Sequence, residues 1–333
     1  MVEKQMEGWI GYHINKNIYN KLDVLLIPAN TVLKLSHINL LISLEIYLDQ
    51  EDVSSATSVR LMKEAIKETK KAFETIKLKK AIPFESIKAN IIPIIAEFSI
   101  NPNVFSIISS MEAKDEYTYK HSFAVAVIST IIGGWMELDT VEIEDLMISA
   151  FLHDVGKLQI PDAVLNKTQP LTKEEFLELK NHPEYGYNMI SQTAGISQNQ
   201  ALVALQHHER EDGSGYPSGL KGCDMGILSK IVAVADVFHA MISKRAYKEA
   251  LPLFQVLREL DAGAYGLYDP RVVHCLISKI MNALIGSRVL LSSGETVTVI
   301  LINIHDRMHP LVKKEQQFID LSKEKGIEIV KHY

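Results

Sequence analysis

The residues of this chain best suited to chemistry are five histidines and two aspartates in its middle. They follow one another as His121, His153-Asp154, His182, His207-His208 and Asp236. Neutral imidazole binds first-row transition metals, and one carboxylate can bridge two such ions. A single histidine is more often a packed core or surface residue. Seven candidate ligands within one region favour a hydrolytic two-metal centre.

The segments that must position these ligands are predicted to be helices. Apolar periodicity is helical from 85 to 281, interrupted by Gly and Pro loops. Val59, Met62, Ile66, Phe73 and Ile76 also fall at helical spacing and predict an amphipathic helix of about five turns. Such a helix usually packs on a core, but it could also join two modules or pair subunits.

Both ends of the chain differ from this helical middle. Near the start, 9–12 and 23–27 are predicted strands and 36–46 a short helix. Near the end, short β-branched or alternating runs at 287–291, 295–302, 311–312 and 317–321 predict a small antiparallel sheet or barrel. The sequence therefore predicts a helical core between two small modules.

Composition limits the function classes. The length of 333 residues suggests about two domains. A net charge of −6 gives no global basic character, so we expect no nucleic-acid polymer as partner. Cys223 and Cys275 form no Cys-x-x-Cys pair, which fits free thiols in a reducing compartment. The apolar runs are too short for a membrane span and the first residues lack a secretory signal, so we expect a cytoplasmic location.

A series of short motifs accompanies the ligands in order along the chain. They are Tyr117-Thr118-Tyr119-Lys120-His121-Ser122, His153-Asp154-Val155-Gly156-Lys157, Ile160-Pro161-Asp162, Asn181-His182-Pro183, His207-His208-Glu209, Asp212-Gly213-Ser214-Gly215-Tyr216-Pro217 and Ala235-Asp236-Val237-Phe238. Over roughly residues 115 to 285 the chain resembles the HD-GYP phosphodiesterases. These are a branch of the HD-domain phosphohydrolases that cleave the bacterial second messenger cyclic di-GMP.

The resemblance implies a mainly α fold, with an all-helical HD-type catalytic bundle. We expect a small mixed N-terminal regulatory module at 1–55, a helical linker at 56–110, the HD-GYP catalytic domain at 111–285 and a β-rich C-terminal appendage at 286–333.

The resemblance also implies a role for each ligand. Asp154 would bridge two divalent ions, with iron or manganese expected. His121, His153 and Asp236 would complete one metal, and His182, His207 and His208 the other. A hydroxide activated between the metals would cleave the 3′-5′ phosphodiester of cyclic di-GMP to pGpG, with GMP formed slowly.

Other residues are expected to contact the substrate or to support the ligands. Lys157 would bind the substrate phosphate or help to protonate the leaving oxygen. The alternative is a solvated lysine at a helix end without a role in the reaction. Arg245 and Lys248 match phosphate contacts of the family. The alternative for this pair is an exposed basic loop without a substrate role. Gly215, Tyr216 and Pro217 would shape the pocket, and a buried structural tyrosine is the alternative for Tyr216. Glu209 and Asp212 are expected to orient ligand histidines or basic side chains.

Three positions depart from the family pattern. Tyr117 stands where members with three metals carry Glu, and the neighbouring Glu116 is offset by about 100° on a helix, so two metals are expected. His239 replaces an Asp three residues after the metal Asp236, where a packing or supporting role is expected. Lys244-Arg245-Ala246-Tyr247 replaces Asp-Arg-Pro-Tyr, which alters loop rigidity but keeps the basic pair.

Two function classes stay open at this point. One is an active cyclic di-GMP phosphodiesterase or a phosphodiesterase for another cyclic dinucleotide. The other is a sensor that binds cyclic di-GMP or a partner protein without turnover. A pure sensor has no physical need for seven metal-binding side chains, which favours the enzyme. A homodimer or a signalling protein partner is left open.

Overall fold

The computed structural model describes residues 6, 9–29, 31–48, 52–54, 56–100, 117–167, 169–243 and 250–332. The helices are α1 (Leu35–Ser43), α2 (Ala56–Lys79), α3 (Phe84–Asn90), α4 (Ile92–Ser99), α5 (Tyr117–Trp135), α6 (Thr140–Leu152), α7 (Asp162–Leu165), α8 (Lys173–Leu179), α9 (His182–Ser191), α10 (Gln198–Gln206), α11 (Ile227–Ile242), α12 (Leu253–Gly263) and α13 (Pro270–Ala283). The strands are β1 (His13–Ile14), β2 (Ile18–Tyr19), β3 (Leu25–Ile27), β4 (Val53–Ser54), β5 (Arg288–Leu291), β6 (Thr296–Asn303), β7 (Asp306–Lys314), β8 (Gln317–Asp320) and β9 (Ile329–His332).

The N-terminal module is built from two short antiparallel pairs, β1 with β4 and β2 with β3, and the helix α1. The expected strand at 9–12 is wrong, because these residues form a turn. The expected helix is confirmed with shifted bounds, and Glu45 follows its end with a φ of 57°. The buried apolar side chains of this module, among them Ile14, Ile38 and Leu41, form a core separate from the rest of the chain.

The long amphipathic helix predicted from its apolar spacing is α2. Met62, Phe73 and Ile76 are buried on one face, which packs against α5. The helices α3 and α4 contribute to the same core as the ligand-bearing helices. The segment expected as a linker is therefore, over residues 60–99, part of the helical core.

The ligand-bearing region is organised around α5. Every residue from 121 to 133 is buried, because α2, α4, α6, α11 and α13 pack around this helix. A helix that is apolar on all sides is stable only when it is enclosed in this way. The fold therefore holds α5, and His121 near its start, at the centre of the bundle.

The C-terminal strands form one antiparallel sheet in the order β8-β7-β6-β5-β9. The sheet was predicted, but β9 was not. Alternate residues such as Val297 and Val299 point inward and join the core of the helices. Arg258 of α12 donates to the Ile329 carbonyl at 3.3 Å, so the sheet packs directly on the helical region.

The mainly α fold class is confirmed. Among the described helices none combines the length and the apolar character that crossing a bilayer requires.

Candidate metal centre

The predicted ligands come from five separate places in the bundle. His121 lies near the start of α5, Asp236 lies on α11, and His182 is the first residue of α9. His153 and His207 are the residues at which α6 and α10 end. Because α6 and α10 end at His153 and His207, these two rings lie at helix ends, with their Nε2 atoms 3.4 and 3.6 Å from the Asp154 carboxylate. All five of these residues are buried.

Asp154 lies between these ligands, and its two oxygens face different histidines. Oδ2 is 3.5 Å from His121 Nε2 and 3.4 Å from His153 Nε2. Oδ1 is 3.3 Å from His182 Nε2 and 3.6 Å from the Nε2 atom of His207. One carboxylate therefore serves two groups of imidazoles, one on each oxygen.

The protonated nitrogen of three ligand rings is fixed by backbone carbonyls. Nδ1 of His153 contacts the carbonyl three residues earlier at 2.7 Å, and His182 and His207 do the same at 2.7 and 2.8 Å. A carbonyl can only accept, so Nδ1 carries the proton in each ring. The Nε2 lone pairs then face Asp154, which is the arrangement of a metal-binding histidine.

The donor set fits cations. The Nε2 atoms of His182 and His207 are only 3.3 Å apart, and two lone pairs at this distance repel unless a proton or cation lies between them. His153 Nε2 and Asp154 Oδ1 are buried without a hydrogen-bond partner among the described residues. Residues able to supply ligand atoms within 4.8 Å of one another form two groups, Asp154 with His182, His207 and His208, and Asp154 with His121 and His153. The residues present therefore fit metal binding, and Asp154 belongs to both groups.

The electrostatics keep most of the ligands in the required charge state. Burial lowers the pKa of His207 to about 4 and lowers the pKa of His121 and of His208. Burial alone would raise the pKa of Asp154, but the Lys157 ammonium and the neighbouring histidines hold it well below its usual range. Burial lowers the pKa of His153, but the Asp154 carboxylate raises it by more, so the net shift is upward. A bound cation would therefore compete with a proton at His153.

His121 is held differently from the other ligands. Its Nε2 atom is 3.0 Å from Asp236 Oδ1, which brings Asp236 to the same side of the centre. Its Nδ1 atom lies 2.8 Å from Nδ1 of His239, and Nε2 of His239 lies 3.0 Å from the Ser243 hydroxyl. When His121 Nε2 serves as a ligand, its Nδ1–H donates to His239, which can then donate to Ser243.

Lys157 follows Asp154 by three residues in a 3-10 turn, Val155–Gln159. Its ammonium is 2.5 Å from Asp154 Oδ2, and its side chain keeps 24% of its surface exposed. Lys157 therefore links the buried carboxylate to the protein surface.

The loop after His208 packs beside the candidate centre. The Tyr216 ring stacks on His208 with centroids 4.7 Å apart and an interplanar angle of 25°. A Cβ added at Gly215 would lie 2.4 Å from the Glu209 Cα, so only glycine lets the loop fold back this closely. Pro217 follows Tyr216 through a cis peptide bond. Tyr216 is therefore packed against a candidate ligand, and burial raises the pKa of its phenol.

Glu209 and Asp212, expected to orient ligand histidines or basic side chains, accept hydrogen bonds from the backbone of the loop. The buried Glu209 carboxylate accepts from the backbone amides of Ser218 at 2.7 Å and Leu220 at 3.0 Å. The Asp212 side chain accepts from the Ser214 amide at 2.9 Å and is exposed. The sequence signal for these roles is the glycine-rich run that follows them, because such a loop needs acceptors for its backbone amides.

Three sequence-predicted positions lie outside what the structure describes, and a fourth is described only in part. Arg245, Lys248 and Glu116 fall outside the described residues, and Tyr117 is described only in its helical backbone. Two residues that sequence reasoning left without a role lie near the centre. Gly156 lies where the turn after Asp154 touches α9. Lys180 lies over the Tyr216 ring.

A helical bundle that brings histidines and aspartates together around one buried carboxylate is typical of metal-dependent proteins. Comparison with known proteins identifies the family. A family model described as HD domain matches residues 106–272, half of the chain. The chain belongs to the HD-domain family, in its HD-GYP branch.

Curated relatives agree with this family. A cyclic di-GMP phosphodiesterase of Thermotoga maritima is 42% identical over 50% of this chain and 45% of its own length. A cyclic di-GMP phosphodiesterase of Pseudomonas aeruginosa is 33% identical over 64% of this chain and 51% of its own length. A 3′3′-cGAMP-specific phosphodiesterase of Vibrio cholerae is 31% identical over 69% of this chain and 44% of its own length. The chain thus spans about half the length of the curated relatives it matches.

The fold has a solved counterpart. An HDG"Y"P protein from Bdellovibrio bacteriovorus superposes with a TM-score of 0.53 over 82% of this chain and 95% of that chain. Its sequence identity is 16%, so this likeness concerns the fold alone.

Proposed function

We propose that this protein is a metal-dependent phosphodiesterase that hydrolyses a 3′-5′ phosphodiester of cyclic di-GMP to give pGpG. The observation that carries the proposal is the Asp154 carboxylate, with one oxygen facing His121 and His153 and the other facing His182 and His207. The HD-domain match and the relatives named cyclic di-GMP phosphodiesterases support the substrate class.

Two divalent ions would be held here, and we expect iron or manganese because the donors are imidazoles and carboxylates. His121, His153 and Asp236 would hold one ion, His182, His207 and His208 the other, and Asp154 both. When bound, the ions would lower the pKa of an attacking water and neutralise charge on the phosphoryl oxygens.

The side chains around the ions would orient the phosphodiester and move a proton. Lys157 is the nearest described cation to Asp154, and its partly exposed ammonium is suited to a nonbridging phosphate oxygen or to the leaving 3′ oxygen. The carbonyl-bound rings of His153, His182 and His207 would stay fixed during the reaction. Arg245 and Lys248 are proposed as further phosphate contacts on their sequence positions.

A second candidate substrate is 3′3′-cGAMP. It is favoured by the Vibrio cholerae relative of that specificity, which matches a longer stretch of this chain than the two cyclic di-GMP phosphodiesterases do. Both substrates have the same diester chemistry, so the metal centre serves either. The choice between them depends on contacts to the base.

The test is hydrolysis by purified, metal-analysed protein, with chromatography of the products from cyclic di-GMP and from 3′3′-cGAMP. Asp154→Asn should abolish turnover and lower the metal content, because the shared carboxylate charge is lost. His305→Ala, which removes an exposed histidine of the C-terminal sheet, should behave as wild type. Full activity in Asp154→Asn contradicts the two-metal proposal, and absence of hydrolysis of both dinucleotides by metal-loaded wild type contradicts the enzyme.

The order of the products gives a separate prediction. With two metals, the terminal phosphate of pGpG has no third ion to hold it while the second diester is repositioned, so the second cut is slower. A time course with sub-stoichiometric enzyme should show pGpG accumulating first and GMP appearing late. GMP rising from the start without a pGpG pool contradicts the two-metal, single-cut scheme that we derive from Tyr117.

A further inference from the structure

A cation lies over the aromatic wall of the centre and has no role in the chemistry described above. Lys180 follows the end of α8, two residues before the ligand His182. Its ammonium is 4.8 Å from the centroid of the Tyr216 ring and 5.1 Å from that of Phe176. Since Tyr216 itself stacks on His208, Lys180 is only two ring contacts away from a candidate metal ligand.

The charge of Lys180 is not neutralised by its acidic neighbours. Its ammonium makes no ion pair with any of the residues that the structure describes. The nearby Glu178 carboxylate accepts from Asn181 at 3.2 Å and from the Tyr185 hydroxyl at 3.4 Å. Glu175 pairs with Lys167 at 2.5 Å. The ammonium of Lys180, which lies over the Tyr216 ring, is thus available to a ligand.

An exposed ring lies next to this charge. Phe176 is 48% exposed although it is a large apolar side chain. Lysine beside the faces of two aromatic rings is a combination that can hold a phosphate and a stacked base at once. We call Phe176, Lys180 and Tyr216 the aromatic shelf.

A cyclic dinucleotide has a second phosphate that must lie within one nucleotide of the first. When one phosphate is at Asp154, the other needs a cation at a short distance from the histidines but outside their cluster. We propose that the aromatic shelf binds the non-scissile half of the substrate, with Lys180 on the second phosphate and the exposed face of Phe176 under a base. This inference rests on the proposed function.

The alternative to a substrate contact is a purely structural cation–π contact that holds Tyr216 in place. The two roles differ in the substrates that they affect. Bis(p-nitrophenyl) phosphate is a diester with one phosphate and no nucleobase, so it reaches the metal centre without using the shelf. Loss of a substrate contact raises KM for the dinucleotide alone, whereas displacement of Tyr216 and His208 impairs both substrates.

The test compares Lys180→Met, Lys180→Arg and Lys173→Met in the metal-loaded protein. Lys173→Met makes the same charge change at the exposed start of α8, so it controls for long-range electrostatics. Lys180→Met should raise KM for cyclic di-GMP about ten- to a hundredfold, as expected for the loss of a hydrogen bond to a charged group, with little change in kcat. Lys180→Arg should restore most of the loss. Turnover of bis(p-nitrophenyl) phosphate should be unchanged in all three.

Unchanged kinetics of Lys180→Met, or an equal loss on both substrates, would overturn the proposal. Calorimetric binding of cyclic di-GMP separates this failure from failure of the proposed function. If wild type binds the dinucleotide without turnover, the enzyme proposal fails, and the ratio of Kd between wild type and Lys180→Met still decides the role of Lys180. If wild type neither binds nor hydrolyses it, both are refuted.

Discussion

At the scale of single residues, the most informative contact is that between His121 and His239. Where the family commonly has an aspartate, this chain places a second imidazole 2.8 Å from the outer nitrogen of a metal ligand. A carboxylate would accept strongly from His121, whereas the neutral His239 imidazole accepts more weakly at Nδ1 and donates its own Nε2–H to the Ser243 hydroxyl. The substitution keeps the ring orientation but reduces the negative charge beside the ligand.

His239 should therefore be needed for metal binding through the hydrogen bond that it accepts. We expect His239→Phe, which fills the space without an acceptor, to weaken metal affinity by about 10- to 100-fold. His239→Gln can accept from His121 and donate to Ser243, so it should retain most of the affinity. Competitive chelator titration measures both. Equal affinity in His239→Phe and wild type would show that the contact is only packing.

At the scale of elements, the centre depends on a close approach between the turn after Asp154 and the start of α9. A Cβ added at Gly156 would lie 1.9 Å from the His182 carbonyl oxygen and 2.4 Å from the Gly186 nitrogen. Both are backbone atoms and cannot rotate away. The missing side chain is what lets His182 reach Asp154.

Gly156→Ala should therefore separate α9 from the Asp154 turn. We expect a loss of stability of about 1–3 kcal/mol from overpacking together with reduced metal content, because His182 moves. Gly134→Ala is the matched control, since nothing lies within 4 Å of its added Cβ in α5. It should be neutral or stabilise by about 0.4–1 kcal/mol. Urea unfolding and metal analysis check both, and a Gly156→Ala protein with normal metal content would contradict the packing argument.

A buried ion-pair cluster joins three other elements. Lys230 on α11 lies 2.9 Å from Glu211 and 3.1 Å from Asp269, and Asp269 also accepts from the Arg271 amide at the start of α13. Burial would raise the pKa of Asp269, but Arg271 and Lys230 lower it to about 2. The cluster thus connects the glycine-rich loop to two helices.

Asp269→Asn should keep the helix cap but lose the charge that pairs with Lys230. Lys230 keeps its pair with Glu211, so the expected loss is the charge contribution of Asp269. Its pKa lowered to about 2 corresponds to about 2–3 kcal/mol, which urea unfolding near pH 7 should show. Because the folded pKa is depressed, the stabilisation is present above the unfolded pKa of about 3.9 and is lost as pH falls toward 2. The difference between wild type and Asp269→Asn should shrink over this window. A constant difference would show that the charge is not its cause.

At the scale of the whole molecule, the described residues form two hydrophobic cores. One belongs to the N-terminal module, and the other is shared by the helices from α2 onward and the C-terminal sheet. We propose that residues 1–55 are a regulatory module, and that the 286–333 appendage packs on the catalytic helices instead of moving freely. The candidate ligands lie on α5, α9 and α11 or at the ends of α6 and α10, so metal binding should stabilise the larger core as a unit.

Removal of the metals with a chelator should lower the Tm, and adding Mn²⁺ back should restore it. A ligand at 100 times its Kd stabilises a fold by about 2.7 kcal/mol. Asp154→Asn should lose most of this response, while His305→Ala should keep it. Thermal unfolding with and without Mn²⁺ is the measurement, and an equal rise in Asp154→Asn would place the stabilising ion elsewhere.

The helical class could be predicted from the sequence alone, and so could the set of candidate ligands that the fold brings together around Asp154. Helical periodicity is a local property, and a histidine or aspartate can bind metal wherever the fold places it. It also located most of the C-terminal strands, since their alternation is local. The strand Ile329–His332 was missed, because its place is set by pairing with β5, which is distant in sequence.

Only the tertiary structure decided how these residues are used. Three kinds of contact join segments that are separate in the sequence. They are the contacts of the two Asp154 oxygens with different histidines, the hydrogen bonds from the Ser218 and Leu220 amides to Glu209, and the position of Lys180 over the Tyr216 ring. Such contacts depend on helix packing and on where each helix ends. Motif spacing therefore predicts which residues are candidates for the site, whereas helix packing decides which groups their side chains contact.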